Sequence, residues 1–255
     1  MKQLTLAAFY GSKPPILSEL IESMNAEVEN TALAGFFTPY PIRQIHATLT
    51  GLEKITGASE NYNANYWNRA GERRVMDFSC LLETLSESLP MQARIGGFSE
   101  SYDGFRSLGE IPYRRAFSVD WNSGKLNLIG WPFAGPFDDF DFSRQRLLWA
   151  LRSRWASRCH IRHKYHEQQD NDLYMVLGSL NLPAGLDQAA LDALQKEGRK
   201  LEWIIRDFLH HNPANLSLSP DTLFLVQYEE EALPPLSSTA WPVSELLDKG
   251  FPPGL

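Results

Sequence analysis

The sequence predicts an α+β fold over residues 1–255: one bilobal domain of two pseudo-symmetric β-α-β-α-β lobes whose antiparallel sheets line a central groove. Three observations carry this expectation. Short apolar runs suited to strands alternate with longer segments of helical periodicity. The order strand, helix, strand, helix, strand occurs twice along the chain. A length of 255 residues with 43% hydrophobic content suffices for one large core or two lobes. Lobe one is expected over about 1–115 and lobe two over about 116–231, with a Pro-rich tail at 232–255.

In the first half, residues 4–9 read as a buried strand, and Gly11 and Pro14-Pro15 punctuate the chain before a helix. That helix carries Leu17, Leu20, Ile21, Met24 and Val28 on one face. A Gly-, Pro- and aromatic-rich loop leads to a strand at 45–52, closed by Gly51 and followed by a polar stretch at 61–68. Val75, Phe78, Leu82, Leu85 and Leu89 then recur at helical spacing, and a strand follows at 92–98.

The second half begins with a hairpin, 117–121 and 125–131, turned at Asn122-Ser123-Gly124. Ser143 is expected to cap a helix running towards Cys159, with Leu147, Leu148, Leu151 and Trp155 as its apolar arc. Residues 173–180 form a strand, and Asp187 caps a helix whose Leu191, Leu194, Leu201, Ile205 and Phe208 share a face. This helix stops before Pro213, and 222–228 form the last strand. The tail from Ala232 is an extended strap or loose.

Composition excludes several classes. No basic leader and no long apolar run is present, so the expectation is a soluble, cytoplasmic protein without membrane association. Cys80 and Cys159 each lie in an apolar helical pattern and read as plain core residues, not as a disulfide framework or a thiolate metal site. A net charge of −7 disfavours broad nucleic-acid binding, because an acidic surface repels phosphate at long range.

The candidate chemistry lies on the middle strand of the first half. Strand alternation puts His46, Thr48 and Thr50 on one face, while Ile45, Ala47 and Leu49 take the other. A histidine with hydroxyls aligned behind it can move a proton and donate hydrogen bonds to a phosphate oxygen. An ordinary half-buried strand whose polar face meets water carries the same pattern.

The H-x-T-x-T strand, set in two β-α-β-α-β passes, resembles the two-histidine (2H) phosphoesterase superfamily, which includes LigT-like proteins and RNA 2′,3′-cyclic phosphodiesterases. The resemblance spans almost the whole chain. It implies a groove in which each lobe contributes one H-x-T or H-x-S strand, with one imidazole as base, the other as acid, and no metal or cofactor. His46 then matches a catalytic histidine, Thr48 its phosphate-binding partner, and Thr50 extends the same face.

The second half departs from that pattern. Matching Gly178 to Gly51 puts Tyr174 near the histidine position and Val176 near the threonine position. A tyrosine with an ordinary pKa of about 10 is a poor proton-transfer group near neutrality. Just upstream, His160, His163 and His166 recur at spacing three. Either His163 or His166 supplies a displaced second imidazole, with His160 inside the helix, or all three cap a helix C-terminus. His166-Glu167-Gln168-Gln169-Asp170 superficially resembles a zinc motif but lacks a strong third ligand.

Arg106, Arg114, Arg115, Arg162 and Lys164 are candidate phosphate partners. Arg144, Arg146, Arg152, Arg154 and Arg158 read as solvated, as does the run Glu229 to Glu231. Tyr62, Tyr66 and Trp67 in the Asn-rich loop suit base stacking. The resemblance implies a phosphodiesterase acting on a cyclic or 2′-linked nucleotide or an RNA end. The alternative is a catalytically lapsed relative that binds such a ligand.

Overall fold

The computed structural model describes residues 2–55, 60–133 and 146–252. Ten strands form one open sheet: β1 (Gln3–Ala8), β2 (Phe37–Pro39), β3 (Ala47–Gly51), β4 (Met91–Ile95), β5 (Phe117–Asp120), β6 (Lys125–Phe133), β7 (Leu173–Leu180), β8 (Ala214–Leu218), β9 (Leu223–Tyr228) and β10 (Thr239–Pro242). Along the main path the order is β10-β9-β1-β3-β7-β6-β4-β8, while β2 pairs with β7 and β5 with β6. Each pairing is antiparallel. The fold is therefore a mixed one around a large antiparallel sheet.

The two halves of the chain share strands. From the second half, β9 pairs with β1 of the first; from the first half, β4 pairs with β6 and β8 of the second. The middle strands β3 and β7 are sheet neighbours, joined where Ala47 meets Met175. The sequence predicts lobes whose sheets line a groove between them; instead the middle strands lie side by side in one sheet.

Seven helices are described: α1 (Pro15–Glu29), α2 (Ala64–Ala70), α3 (Phe78–Ser86), α4 (Pro112–Arg115), α5 (Leu147–Arg158), α6 (Gln188–His211) and α7 (Val243–Lys249). The expected apolar arc of α1 is buried, as is that of α5 except for the partly buried Leu147, with Trp155 fully enclosed and its Nε1 donating to Thr84 Oγ1 at 2.8 Å. Enclosing a side chain of that size contributes roughly 1.5–3 kcal/mol. Asp187 caps α6 by accepting from the Ala190 N–H, as its sequence position predicts. The expected Ser143 cap lies outside the described residues.

Several expectations are corrected. The helix expected from Val75 starts later, because Asp77 accepts from the Cys80 N–H and fixes the first turn of α3 there. Val75 precedes it, exposed and bridged to Tyr62. α2 begins within the polar stretch at 61–68, capped by Asn63, and is ended by Gly71 at φ 66°. Residues 214–218 form β8, and the tail is neither loose nor merely extended, since β10 pairs with β9 and leads into α7.

Cys80 and Cys159 are joined in a disulfide, with Cα atoms 5.4 Å apart. The two cysteines share no motif, but α3 packs against α5 and brings their positions together. Among the described residues, no helix is long and apolar enough to cross a membrane.

Candidate functional site

A groove of about 590 Å³ lies over β3 and β7 on the face opposite the helices that bury Ala47, Leu49 and Met175. Extending the Ala47–Met175 register by one residue each way places His46 beside Val176 and Thr48 beside Tyr174. All four line the groove. Strand alternation thus delivers His46 and Thr48 where the sequence predicts.

Thr50 does not follow. Leu6 opposes Thr50 but Ala7 opposes Thr48, so Leu49 is the extra residue of a β-bulge. The bulge breaks the two-residue period. Thr50 turns with Leu6 into the interior, fully buried, with Oγ1 on the Gly51 carbonyl at 3.4 Å. The pairing of β6 with β7 carries a matching step, with Leu126 opposite Gly178 and Asn127 opposite Val176.

His46 Nδ1 lies 2.7 Å from the Gln44 carbonyl. A carbonyl only accepts, so Nδ1 carries the proton and Nε2 presents a lone pair. Burial, partly offset by that hydrogen bond, pushes the imidazole down to about 4, and the Lys13 charge pushes the same way. At neutral pH His46 is therefore an uncharged proton acceptor. The Thr48 hydroxyl sits half-buried in the same groove, and the Tyr10 ring meets His46 edge-on at 6.0 Å.

His163 also lines the groove, 8% exposed, and its Nδ1 has no hydrogen-bond partner among the described residues. Burial first, then the Arg152 charge, pushes it down to about 2. His166 opens a short 3-10 turn and is not among the groove-lining residues. His160 is not inside the helix: α5 ends at Arg158, and His160 adopts φ 58° with Nδ1 3.2 Å from the Val75 carbonyl. Tyr174 faces the groove 37% exposed, and burial of its hydroxyl raises it to about 12.

Of the proposed phosphate partners, Arg115 and Lys164 line the groove. Arg115 donates to Asp172 from Nη2 at 3.1 Å, and the buried Asp172 also accepts from Ser107 Oγ and Trp131 Nε1. Arg114 points elsewhere, exposed and paired with Glu100. Arg106 donates to the Gly109 carbonyl and Arg162 pairs with Glu167. Tyr66 does not offer a stacking face: it is buried in α2, with its hydroxyl donating to the Ala156 carbonyl.

Arg152 is the residue that sequence reasoning misjudged. Expected to be solvated, it is 4% exposed, and its Nε donates to the Leu49 carbonyl at 2.7 Å. Its Nη2 reaches the Thr48 carbonyl at 3.2 Å and its Nη1 pairs with Asp170 at 2.7 Å. An arginine inside the arc Leu148, Leu151, Trp155 was the available signal, since burial of that charge requires partners. The groove also takes Lys125 from the β5–β6 hairpin and Glu231, Ala232 and Leu233 from the tail. Among the described residues, no group of three or more His, Cys, Asp or Glu is arranged to hold a metal ion.

No protein-family model and no curated protein matches the sequence. Among solved structures, the chain is similar to a conserved protein of unknown function from Agrobacterium tumefaciens str. C58. The identity is 11% and the TM-score 0.39, over 86% of this chain and 81% of that one.

Proposed function

We propose that the protein is a 2H phosphoesterase-like, metal-independent phosphodiesterase acting on a cyclic or 2′-linked nucleotide or an RNA end, with His46 as proton acceptor. The observation that carries this reading is the fixed tautomer of His46. The Gln44 carbonyl holds Nδ1–H, and the groove that receives the ring also receives the Thr48 hydroxyl. In hydrolysis of a cyclic phosphodiester, Nε2 takes a proton from water as the water oxygen attacks phosphorus, the bond from phosphorus to one ribose oxygen breaks, and that oxygen takes a proton from solvent while the His46 imidazolium returns its own to solvent. Thr48 donates to a phosphate oxygen, and Lys125 and Lys164 supply positive charge in the groove, where Arg115 is already paired with Asp172.

The sheet supports the bilobal part of the reading. Along the main path four strands stand on each side of the β3–β7 junction, with β2 and β5 added on the β7 side alone, and the inner pair on each side carries the same one-residue bulge. A pseudo-twofold axis between Ala47 and Met175 accounts for both. The sequence offset that carries Ala47 to Met175 carries His46 to Tyr174, Thr48 to Val176 and Thr50 to Gly178.

That correspondence also favours a second reading. Tyr174, raised to about 12, and Val176 occupy the counterpart positions, and His163 is held neutral, so none of them supplies an acid at pH 7. On this reading the protein binds a nucleotide or RNA end without turning it over. The test is to incubate a 2′,3′-cyclic mononucleotide and a short RNA with a cyclic-phosphate end with wild type, His46→Ala, His163→Ala and His166→Ala. Turnover that is lost in His46→Ala and kept in His166→Ala supports the enzyme. Ligand-dependent thermal stabilisation without turnover supports the binder.

A further inference from the structure

Beyond Thr48 the groove carries a carboxylate that the proposed reaction does not use. Glu53 follows the end of β3, half-buried, and lines the groove together with Thr5, Gly51 and Tyr228. Three elements fix its position. A side chain at Gly51 would collide with the Glu53 carboxylate, so the glycine at the end of β3 leaves the space that this group fills. From α2, Asn65 Nδ2 donates to Oε2 at 3.2 Å, and from β9 the Tyr228 hydroxyl donates to Oε1 at 3.5 Å. Among the described residues no cation pairs with Glu53, whereas Asp170 and Asp172 in the same groove are paired with Arg152 and Arg115.

A carboxylate offers about four acceptor positions, and here one on each oxygen is taken. What remains on each oxygen suits a pair of N–H donors side by side. The same wall holds a second group that lacks a partner: His163 is 8% exposed and lines the groove, and its Nδ1 has no hydrogen bond among the described residues. Asn65 Nδ2 joins the two, since it also donates to the carbonyl of Arg162, the residue before His163, at 3.0 Å. An enclosed polar atom without a partner is costly, which points to a ligand against this wall. The Glu53 charge repels phosphate, so the end of the ligand that meets it is not the phosphate end. Gly51 stands three residues beyond Thr48, at most about 10 Å by strand rise, which is of the order of the reach from a nucleotide's phosphate to the outer edge of its base.

We propose that Glu53 is the specificity-determining residue of the groove and takes the guanine base of a nucleotide, its carboxylate accepting from N1–H and from the 2-amino group. Guanine presents two adjacent donors on one edge. Adenine and cytosine present there one donor beside an acceptor, whose lone pair a carboxylate repels. That the ligand is a nucleotide rests on the proposed function; that Glu53 receives a pair of donors does not.

The test is calorimetric titration of wild type and Glu53→Gln with the 2′-monophosphates of guanosine, inosine and adenosine, and with guanosine itself. Glutamine keeps the shape and can still meet Asn65 and Tyr228, but it replaces one acceptor with a donor. Wild type is expected to bind the guanosine nucleotide about tenfold more tightly than the inosine one, which lacks the 2-amino group and so one charge-assisted contact. The adenosine nucleotide should bind more weakly again. In Glu53→Gln the order of guanosine and adenosine should invert, because an amide matches adenine's donor and acceptor. A carboxylate that only supports the fold would, when replaced, lower the affinity for all three nucleotides alike. That uniform loss, equal affinities in wild type, or a guanosine preference that survives in Glu53→Gln overturns the guanine assignment and leaves the phosphoester reading in place. If guanosine binds as tightly as its monophosphate and loses affinity in Glu53→Gln, the guanine assignment stands and the phosphoester reading falls. Binding of none of the four overturns both.

Discussion

Ala47 on β3 and Met175 on β7 meet where the two halves of the sheet join, and both turn their side chains into the interior. This one pairing sets the site. With these two residues directed inward, their neighbours His46, Thr48, Tyr174 and Val176 are directed into the groove.

Arg152 is expected to be the chief support of that junction. Its guanidinium holds the Leu49 and Thr48 carbonyls and the Asp170 carboxylate, all from within the core. Arg152→Met strands a buried carboxylate and is expected to lower the unfolding free energy by about 3–5 kcal/mol, measured by urea denaturation. A loss below about 1 kcal/mol would fit an arginine in solvent, not this one.

Acid should weaken the fold through its neutral histidines. The ordinary imidazole value is 6.5, and the folded values are about 4 for His46 and about 2 for His163. The folded state therefore binds fewer protons than the unfolded chain below pH 6.5. The stabilisation is whole above about pH 6.5, falls as the pH drops towards 4 for His46, and continues to fall towards 2 for His163. Urea midpoints between pH 6.5 and 5 should decline less steeply in a His46→Gln/His163→Gln variant. Equal slopes would contradict the assignment.

Tyr174 should be dispensable for proton transfer. With its hydroxyl raised to about 12, Tyr174→Phe is expected to keep turnover of a 2′,3′-cyclic nucleotide within about twofold of wild type. His46→Ala should lose about 10²–10⁴-fold. A comparable loss on removing the Tyr174 hydroxyl would make it the missing acid.

Cys80 and Cys159 close a loop across 79 residues, and cross-linking a loop of that length stabilises by roughly 4.5 kcal/mol in the chain-entropy account. Native protein should therefore resist alkylation of either cysteine under denaturing, non-reducing conditions. Cys80→Ser/Cys159→Ser should unfold at a clearly lower urea concentration. Two freely alkylated thiols would instead match the sequence expectation of plain core cysteines.

What the letters revealed divides along physical lines. Periodicity located α1, α6 and β7, because each buries one regular face. It also placed His46 and Thr48 correctly, but a single bulged residue, Leu49, sent Thr50 inside, and no local signal marks a bulge. The alternation of β8 is legible in Ala214, Leu216 and Leu218, although Pro213 just before it reads only as a helix stop. Arg152 and the disulfide depend on which helices pack together. That is a property of tertiary structure, and helical spacing alone cannot supply it.

The most direct measurement of the central claim is a titration of ¹⁵N-histidine-labelled protein with a nucleoside 2′-monophosphate, followed through the His46 ring nitrogens. The apo spectrum should show Nδ1 protonated and Nε2 bare at pH 7, and the nucleotide should shift the Nε2 signal saturably, an effect that Thr48→Val weakens. A His46 ring whose resonances ignore the nucleotide at saturating concentration, or which is charged at pH 7 without it, would rule out His46 as the proton acceptor.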